Sequence, residues 1–243
     1  MLTDSEVERL RQAIIAAIAS PVIGSIEDYT WEAMFHYVKN ISLSDPALGR
    51  SKLLYDAVDP STKTGWSLKS LQLKGKSHLE ITTTYFYVIQ RADVIKKAID
   101  LGFPDLDETS PPEKLGAAII KHWNQKVEKD SLKQKVEISY EGILLKNIQG
   151  TEYVYCEYSI ECLDASAFSW SWTVNQKTGT KGVGLQGSID GKAQLIWYKN
   201  QKQLFRARTI PSDAVHIRVE RNRLTLERYV EIVVSALRSQ INN

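Results

Sequence analysis

Cysteine, proline and long apolar runs are scarce in this 243-residue sequence, and each scarcity excludes a class of protein. The two cysteines, Cys156 and Cys162, stand six residues apart in a strand-like stretch, which argues against a disulfide framework, and two thiols are too few for a structural zinc site. With 7 prolines and 13 glycines the composition is neither collagen-like nor of low complexity. No apolar run approaches the roughly 18–20 residues of a membrane span. Because acidic residues precede the first apolar stretch, it does not resemble a secretory signal, and we expect a cytoplasmic protein.

Several catalytic motifs are also missing. The sequence has no Gly-x-Gly-x-x-Gly after a strand, no P-loop, no Gly-x-Ser-x-Gly and no His-Glu-x-x-His. The four histidines are scattered, and none stands at metal-ligand spacing: His36, His78, His122 and His216. These absences argue against an enzyme that uses a nucleotide cofactor, a serine nucleophile or a zinc ion.

Charge is nearly balanced overall but uneven along the chain. The net charge is +2, with 43% hydrophobic and 25% charged residues, as in an ordinary folded domain. Between Lys177 and Arg238, however, twelve basic residues face only five acidic ones. With an excess of seven positive charges, this segment is a candidate binding surface for a polyanion such as nucleic acid. The alternative is a basic face that is simply exposed to solvent.

Periodicity and turn residues predict an α+β fold with a β-rich second half. Thr3-x-x-Glu6 is a capping-box pattern that begins a first helix, and Glu27 to about Asn40 is a second. Further helices are predicted at 91–101 and from Ser110 to about Lys129. Strands are expected at 136–145, 151–163, 167–174, 193–198 and 203–208, with turns at Gly179, Gly182, Gly184, Gly187 and Gly191. The last helix, 224–241, is expected to turn inward Leu226, Tyr229, Val230, Val233, Val234 and Leu237.

A predicted hairpin carries the most informative residues. The apolar stretch 52–58 predicts a strand, 59–65 is dense in turn formers, and 66–73 alternates as a returning strand. Asp56 lies on the first strand, where an ionised carboxylate is costly unless it is paired, and Lys69 follows thirteen residues later on the second. A carboxylate can hold Mg²⁺, and an ammonium can steady an attacking water and the charge of a scissile phosphate. A purely structural Asp–Lys pair is the alternative.

Two segments of the predicted hairpin carry a family resemblance. Leu-Leu-Tyr-Asp56-Ala-Val-Asp59-Pro and Gly65-Trp-Ser67-Leu-Lys69-Ser-Leu-Gln72 resemble the core of PD-(D/E)xK nucleases, which include many type II restriction endonucleases. That family has an aspartate at a strand end and an acid-x-lysine on the next strand. The resemblance, which covers about residues 30 to 100, implies that Asp56 binds metal and that Lys69 is catalytic, with Asp59 as a second candidate for the aspartate. It also implies a restriction-endonuclease-like fold, in which helices flank a central mixed β-sheet.

Ser67 departs from the family pattern, which usually has Glu or Asp at this position. Some restriction enzymes that cut within CCGG cores also have Ser-x-Lys and take the acid from further along the chain, although their gap before the serine is longer. Two residues are candidates for the missing acid here: Glu80, eleven residues after Lys69, and Glu32 on the predicted second helix. Glu32 is preferred, because Glu80 can lie on a strand that faces elsewhere.

Polar residues in two places are candidates for DNA contacts. Gln90 and Arg91 follow the predicted core, and the stretch from Trp170 to Gly182 is a basic, amide-rich hairpin. Amide side chains read adenine edges and basic ones read guanine, and a β-ribbon can enter the major groove. For Trp170 and Trp172, packing in the sheet is favoured over base stacking. The candidate DNA-binding residues are Gln90, Arg91, Asn175, Gln176, Lys177 and Lys181.

The sequence therefore predicts a Mg²⁺-dependent, site-specific endonuclease of double-stranded DNA, related to type II restriction enzymes. We expect a single domain over 1–243, with a helical catalytic half at 1–130 and a β-rich half at 131–243 that recognises DNA. A homodimer is expected, because cutting both strands needs two active sites. The alternatives are a non-catalytic nucleic-acid-binding protein of the same fold and an α+β enzyme that acts on a small molecule.

Overall fold

The computed structural model describes residues 1–42, 53–174, 179 and 181–241. Within these ranges the α+β class is confirmed, since the chain forms four α-helices and ten strands, seven of which follow residue 137. No helix in the same ranges is long and apolar enough to cross a membrane. The helices are α1 (Asp4–Ala19), α2 (Asp28–Lys39), α3 (Pro112–Gln134) and α4 (Leu226–Ile241). The strands are β1 (Ala57–Asp59), β2 (Thr64–Gln72), β3 (Thr84–Arg91), β4 (Ile138–Lys146), β5 (Glu152–Ser159), β6 (Ser169–Val174), β7 (Lys181–Ile189), β8 (Lys192–Tyr198), β9 (Gln203–Thr209) and β10 (Val215–Arg218).

The chain folds into two compact units, and each takes segments from both predicted halves of the sequence. The first unit consists of Met1–Glu80, Glu137–Ser159 and Pro211–Asn243. The second consists of Ile81–Val136 and Ile160–Ile210. Residues on either side of position 130 therefore belong together in the second unit, through α3.

The first unit contains a mixed five-stranded sheet in the order β1-β2-β4-β5-β10. Only β2 and β4 are parallel, and the other neighbours are antiparallel. Helices α1 and α2 cover one face, and the predicted capping box of Thr3 and Glu6 does begin α1. Trp31 and Phe35 of α2 are fully buried, and Trp31 Nε1 donates a 3.1 Å hydrogen bond to Gly142 O on β4. This bond fixes the position of α2 over β4.

The second unit contains an antiparallel five-stranded sheet in the order β3-β9-β8-β7-β6, with α3 beside β6. The buried ring of Trp170 on β6 lies against Gly116 of α3 and Gly187 of β7. A Cβ atom would come within 2.3 Å of this ring at Gly116 and within 2.8 Å at Gly187, so both positions require glycine. Trp170 thus packs in the sheet, as the sequence favoured.

Three local predictions differ from the structure. The strand predicted over 52–58 is limited to β1 in the described part of the chain, and the predicted helix 91–101 is instead a series of turns. The glycine-rich stretch predicted as turns forms β7, because Gly182, Gly184 and Gly187 each allow close approach of a side chain on a neighbouring strand.

Helix α4 forms where it is predicted, but its apolar side chains do not face inward. Leu226, Val230, Val233, Val234 and Leu237 are all exposed, and Tyr229 is half-buried. The helical periodicity is thus correct, whereas the inference that its apolar face is buried within this chain is wrong.

Candidate active site

The hairpin of β1 and β2 has two chemically different faces. The strands pair antiparallel with Ala57 opposite Trp66, and Ala57, Trp66 and Leu68 belong to the core beneath α1 and α2. Because successive side chains of a strand point to opposite faces, Ser67 and Lys69 lie on the other face of β2.

Asp56 and Lys69 meet at the edge of this hairpin. Lys69 Nζ lies 3.9 Å from Asp56 Oδ2, and the two side chains are 27% and 24% exposed, respectively. Asp56 Oδ2 also accepts a 2.7 Å hydrogen bond from Leu68 N, while Lys69 Nζ donates one of 2.8 Å to Leu68 O. The structure therefore brings together the two residues on which the family resemblance depends.

Sequence analysis did not identify Asp28, the first residue of α2. Its Oδ1 accepts a 2.7 Å hydrogen bond from Ser70 N, so its carboxylate lies at the same edge of β2 as that of Asp56. The backbone nitrogens of Leu68 and Ser70 are two residues apart, about 7 Å along the strand. An acid in the first turn of a helix is common, because it interacts favourably with the helix dipole, and so gives no distinct signal in a sequence.

Glu32 is half-buried on α2, one turn after Asp28 and one turn before His36. Residues four apart share a helix face. Asp28 contacts Ser70 N, and His36 Nε2 lies 3.3 Å from Asp56 O. Glu32 thus stands on the helix face between two contacts with the hairpin.

A second acid that sequence analysis missed lies on the strand beside β2. In the parallel pairing of β2 and β4, Ser67 is in register with Glu141, so both side chains point to the same face. Both residues are buried, with 7% and 3% exposure, respectively. The available signal was an acid close to the apolar run 143–145 of a predicted strand, which is similar to the signal that identified Asp56.

Two other candidate acids from the sequence are Asp59 and Glu80. Asp59 is the last residue of β1, and its carboxylate accepts hydrogen bonds from Ser61 and Thr62 in the turn that follows. The bond from the Ser61 hydroxyl is the main reason that the pKa of Asp59 is below its ordinary value. Glu80 is exposed in the segment after β2 and forms no hydrogen bond or ion pair with another described residue.

The predicted DNA-binding residues have different surroundings. Gln90 is only 6% exposed, and its amide atoms have no hydrogen-bond partner among the described residues, whereas its neighbour Arg91 is exposed. Lys181 begins β7, but its side chain lies outside the described part of the chain, as do Asn175, Gln176 and Lys177.

The donor set is suited to a hard cation but is sparse. Within 1–42, 53–174, 179 and 181–241, no three Asp, Glu, His or Cys side chains are grouped closely enough to hold a metal ion. Mg²⁺ commonly uses only one or two carboxylates and completes its shell with water and substrate phosphates. Asp56 with either Glu32 or Glu141 would be such a set.

No protein-family model, curated protein or solved structure matches the chain.

Proposed function

We propose that this protein is a Mg²⁺-dependent, site-specific endonuclease of double-stranded DNA, of the type II restriction class. The observation that carries the proposal is the 3.9 Å approach of Lys69 Nζ to Asp56 Oδ2 at a partly exposed sheet edge. A carboxylate beside an ammonium can hold a metal ion and orient a water at a phosphate. The basic excess between Lys177 and Arg238 supports a polyanionic substrate.

Each residue has a distinct role in this proposal. Asp56 holds the cation together with a second acid, for which Glu32 is preferred and Glu141 is the structural alternative. The cation, when bound, supplies positive charge at the scissile phosphate. Lys69 orients the attacking water, and its bond to Leu68 O restricts where its ammonium can point.

The test is cleavage of a long DNA of mixed sequence, with Mg²⁺ and with a chelator. We expect discrete fragments with Mg²⁺ only. Lys69→Ala should slow cleavage by about 10²- to 10³-fold or more, because a charged group at the reacting phosphate is lost. Lys74→Ala removes an exposed lysine just beyond β2 and is the matched control.

Circular dichroism and DNA binding should be unchanged in both variants. Normal cleavage by Lys69→Ala would remove this residue from the mechanism.

One observation favours a non-catalytic nucleic-acid-binding protein of the same fold. Ser67 is buried at the position where the resembled family has its acid. DNA binding without cleavage, with Mg²⁺ or Mn²⁺ present, would support this second candidate over the first.

A further inference from the structure

Helix α4 presents an apolar stripe to solvent. Leu226, Val230, Val233 and Leu237 are 53%, 49%, 37% and 54% exposed, respectively. Their spacing of four, three and four residues places them on one helix face. A single helix of this length is marginal in water without tertiary packing, and five of its sixteen residues are β-branched and so have a lower helix propensity: Val230, Ile232, Val233, Val234 and Ile241. We therefore expect the apolar side chains of the stripe to be buried against another protein surface.

The order of residues along the stripe is the same when the helix is followed from either end. Its order is Leu, Val, Val, Leu, and its spacing of four, three and four is unchanged when it is reversed. A surface that pairs with a copy of itself about a two-fold axis must be self-complementary. When two such helices pack antiparallel, Leu226 lies opposite Leu237 of the second copy, and Val230 lies opposite Val233 of the second copy.

We propose that α4 is a dimerisation helix that packs antiparallel against α4 of a second copy of this chain. The stripe extends over twelve residues, 226–237, or about 17 Å of helix. A specific interface usually buries at least about 1,000 Å² in total. The contact therefore includes Val234, which is 38% exposed and borders the stripe.

The charges on α4 favour this orientation. Glu227 and Arg238 lie on the same flank of the stripe, eleven residues apart. In the antiparallel pair, Glu227 of each copy lies within one turn of Arg238 of the other, so opposite charges meet at both ends. In a parallel pair, Glu227 and Arg238 of one copy would lie on the opposite side of the pair from those of the other copy, so neither ion pair would form. Near the two-fold axis, Glu231 is paired with Arg228 of its own helix at 3.0 Å, which limits repulsion between the two copies.

The first test measures the mass of the full chain by sedimentation at micromolar concentration. We expect twice the 27.5 kDa of one chain. The double variant Val230→Glu with Val233→Glu should sediment as a single chain, because two carboxylates would be buried in the stripe. The control is Ile232→Glu, which introduces one carboxylate at a position 44% exposed on the far side of the helix, and it should remain a dimer. A monomeric parent, or a double variant that remains dimeric, would overturn the proposal.

The second test determines orientation in a Cys162→Ser background, which removes the exposed native thiol. When the Leu226→Cys and Leu237→Cys proteins are mixed, mild oxidation should form disulfides between one chain of each variant. Each variant oxidised alone should form few disulfides. A preference for disulfides between two chains of the same variant would rule out the antiparallel arrangement.

Neither test depends on nuclease activity. A monomer that cuts DNA would contradict only the proposed dimer, and a dimer that does not cut DNA would contradict only the proposed nuclease activity.

Discussion

Leu68 is held at both of its backbone polar groups by the two side chains of the candidate site. Its N–H is bound by Asp56 and its C=O by Lys69. Because neither side chain can move without breaking a backbone contact, the pair is preorganised before any ligand binds. Preorganised charge is more effective at a reacting phosphate than charge that must first be recruited.

Substitution of the candidate acids tests which one assists Asp56. We expect Glu32→Gln to remove Mg²⁺-dependent cleavage, since it stands on the helix face that contacts the hairpin. Glu80→Gln is the control and should cut normally, because this residue is exposed in the segment after β2. Cleavage rates at several Mg²⁺ concentrations provide the comparison. Loss of cleavage in Glu141→Gln with normal cutting by Glu32→Gln would assign the role to the strand acid.

His122 makes stability depend on pH. Burial, together with the ammonium groups of Lys97 and Lys126, lowers its pKa to about 4. Below about pH 6.5 the unfolded chain binds a proton that the folded chain does not bind, so stability present above pH 6.5 is lost as the pH falls toward 4. The loss is up to about 3 kcal/mol. Urea unfolding at pH 7, 6, 5 and 4 should show a steeper decline than in His122→Gln; parallel curves would contradict this assignment.

Single residues in the hairpin could be predicted from the sequence, but their partners across the sheet could not. Asp56 and Lys69 are close in the chain and joined by a tight turn, so the local sequence pattern was sufficient to predict that they lie close together. Glu141 reaches Ser67 only because β2 and β4 pair in parallel, with more than sixty intervening residues that include part of another unit. No local periodicity encodes a parallel pairing of that separation.

Among the elements, helices were predicted more reliably than strands rich in glycine. The capping box and apolar spacing of α1 are local signals, and the structure confirms them. Strand β7 contains glycines that sequence rules assign to turns. Their role depends on side chains of the neighbouring strands, such as Trp170 against Gly187 and Thr173 against Gly182, and these are tertiary contacts.

The contact between Trp170 and β7 gives a stability prediction. Gly187→Ala places a Cβ within 2.8 Å of the Trp170 ring, so we expect a loss of about 1–3 kcal/mol from overpacking. Gly24→Ala is the control, because nothing lies within 4 Å of the added atom. Chemical denaturation of both variants measures the difference. Equal stability would mean that the ring moves aside without cost.

At the scale of the whole molecule, the division into two units was not predicted. Each unit is assembled from segments that are separated in sequence, and no composition shift marks where one segment ends. The predicted boundary near residue 130 marks where the sequence changes from mainly helical to mainly strand patterns. The two units are instead defined by which strands pair with one another, and that pairing joins segments from both sides of the boundary.

The proposed binding of DNA gives a prediction for the basic excess. Lys177→Ala with Lys181→Ala should weaken binding to any duplex and reduce the slope of log affinity against log salt by about 2, because two phosphate contacts are lost. Asn175→Ala or Gln176→Ala should instead reduce the preference for target over random DNA, by about 1–3 kcal/mol for each base contact. Lys129→Ala with Lys133→Ala is the charge-matched control. Unchanged affinity, salt slope and preference would exclude this stretch from recognition.

The carboxylates of Asp28 and Asp56 have a further consequence, for how the protein behaves in concentrated solution. Beyond Trp66, no described strand pairs with the outer edge of β2, and a bare edge of this kind can recruit a strand from another molecule. The two carboxylates occupy the Leu68 and Ser70 N–H groups that an incoming strand would use. Replacing either aspartate with alanine thus opens a route to aggregation, whereas asparagine keeps an oxygen acceptor in place and separates loss of charge from loss of edge protection.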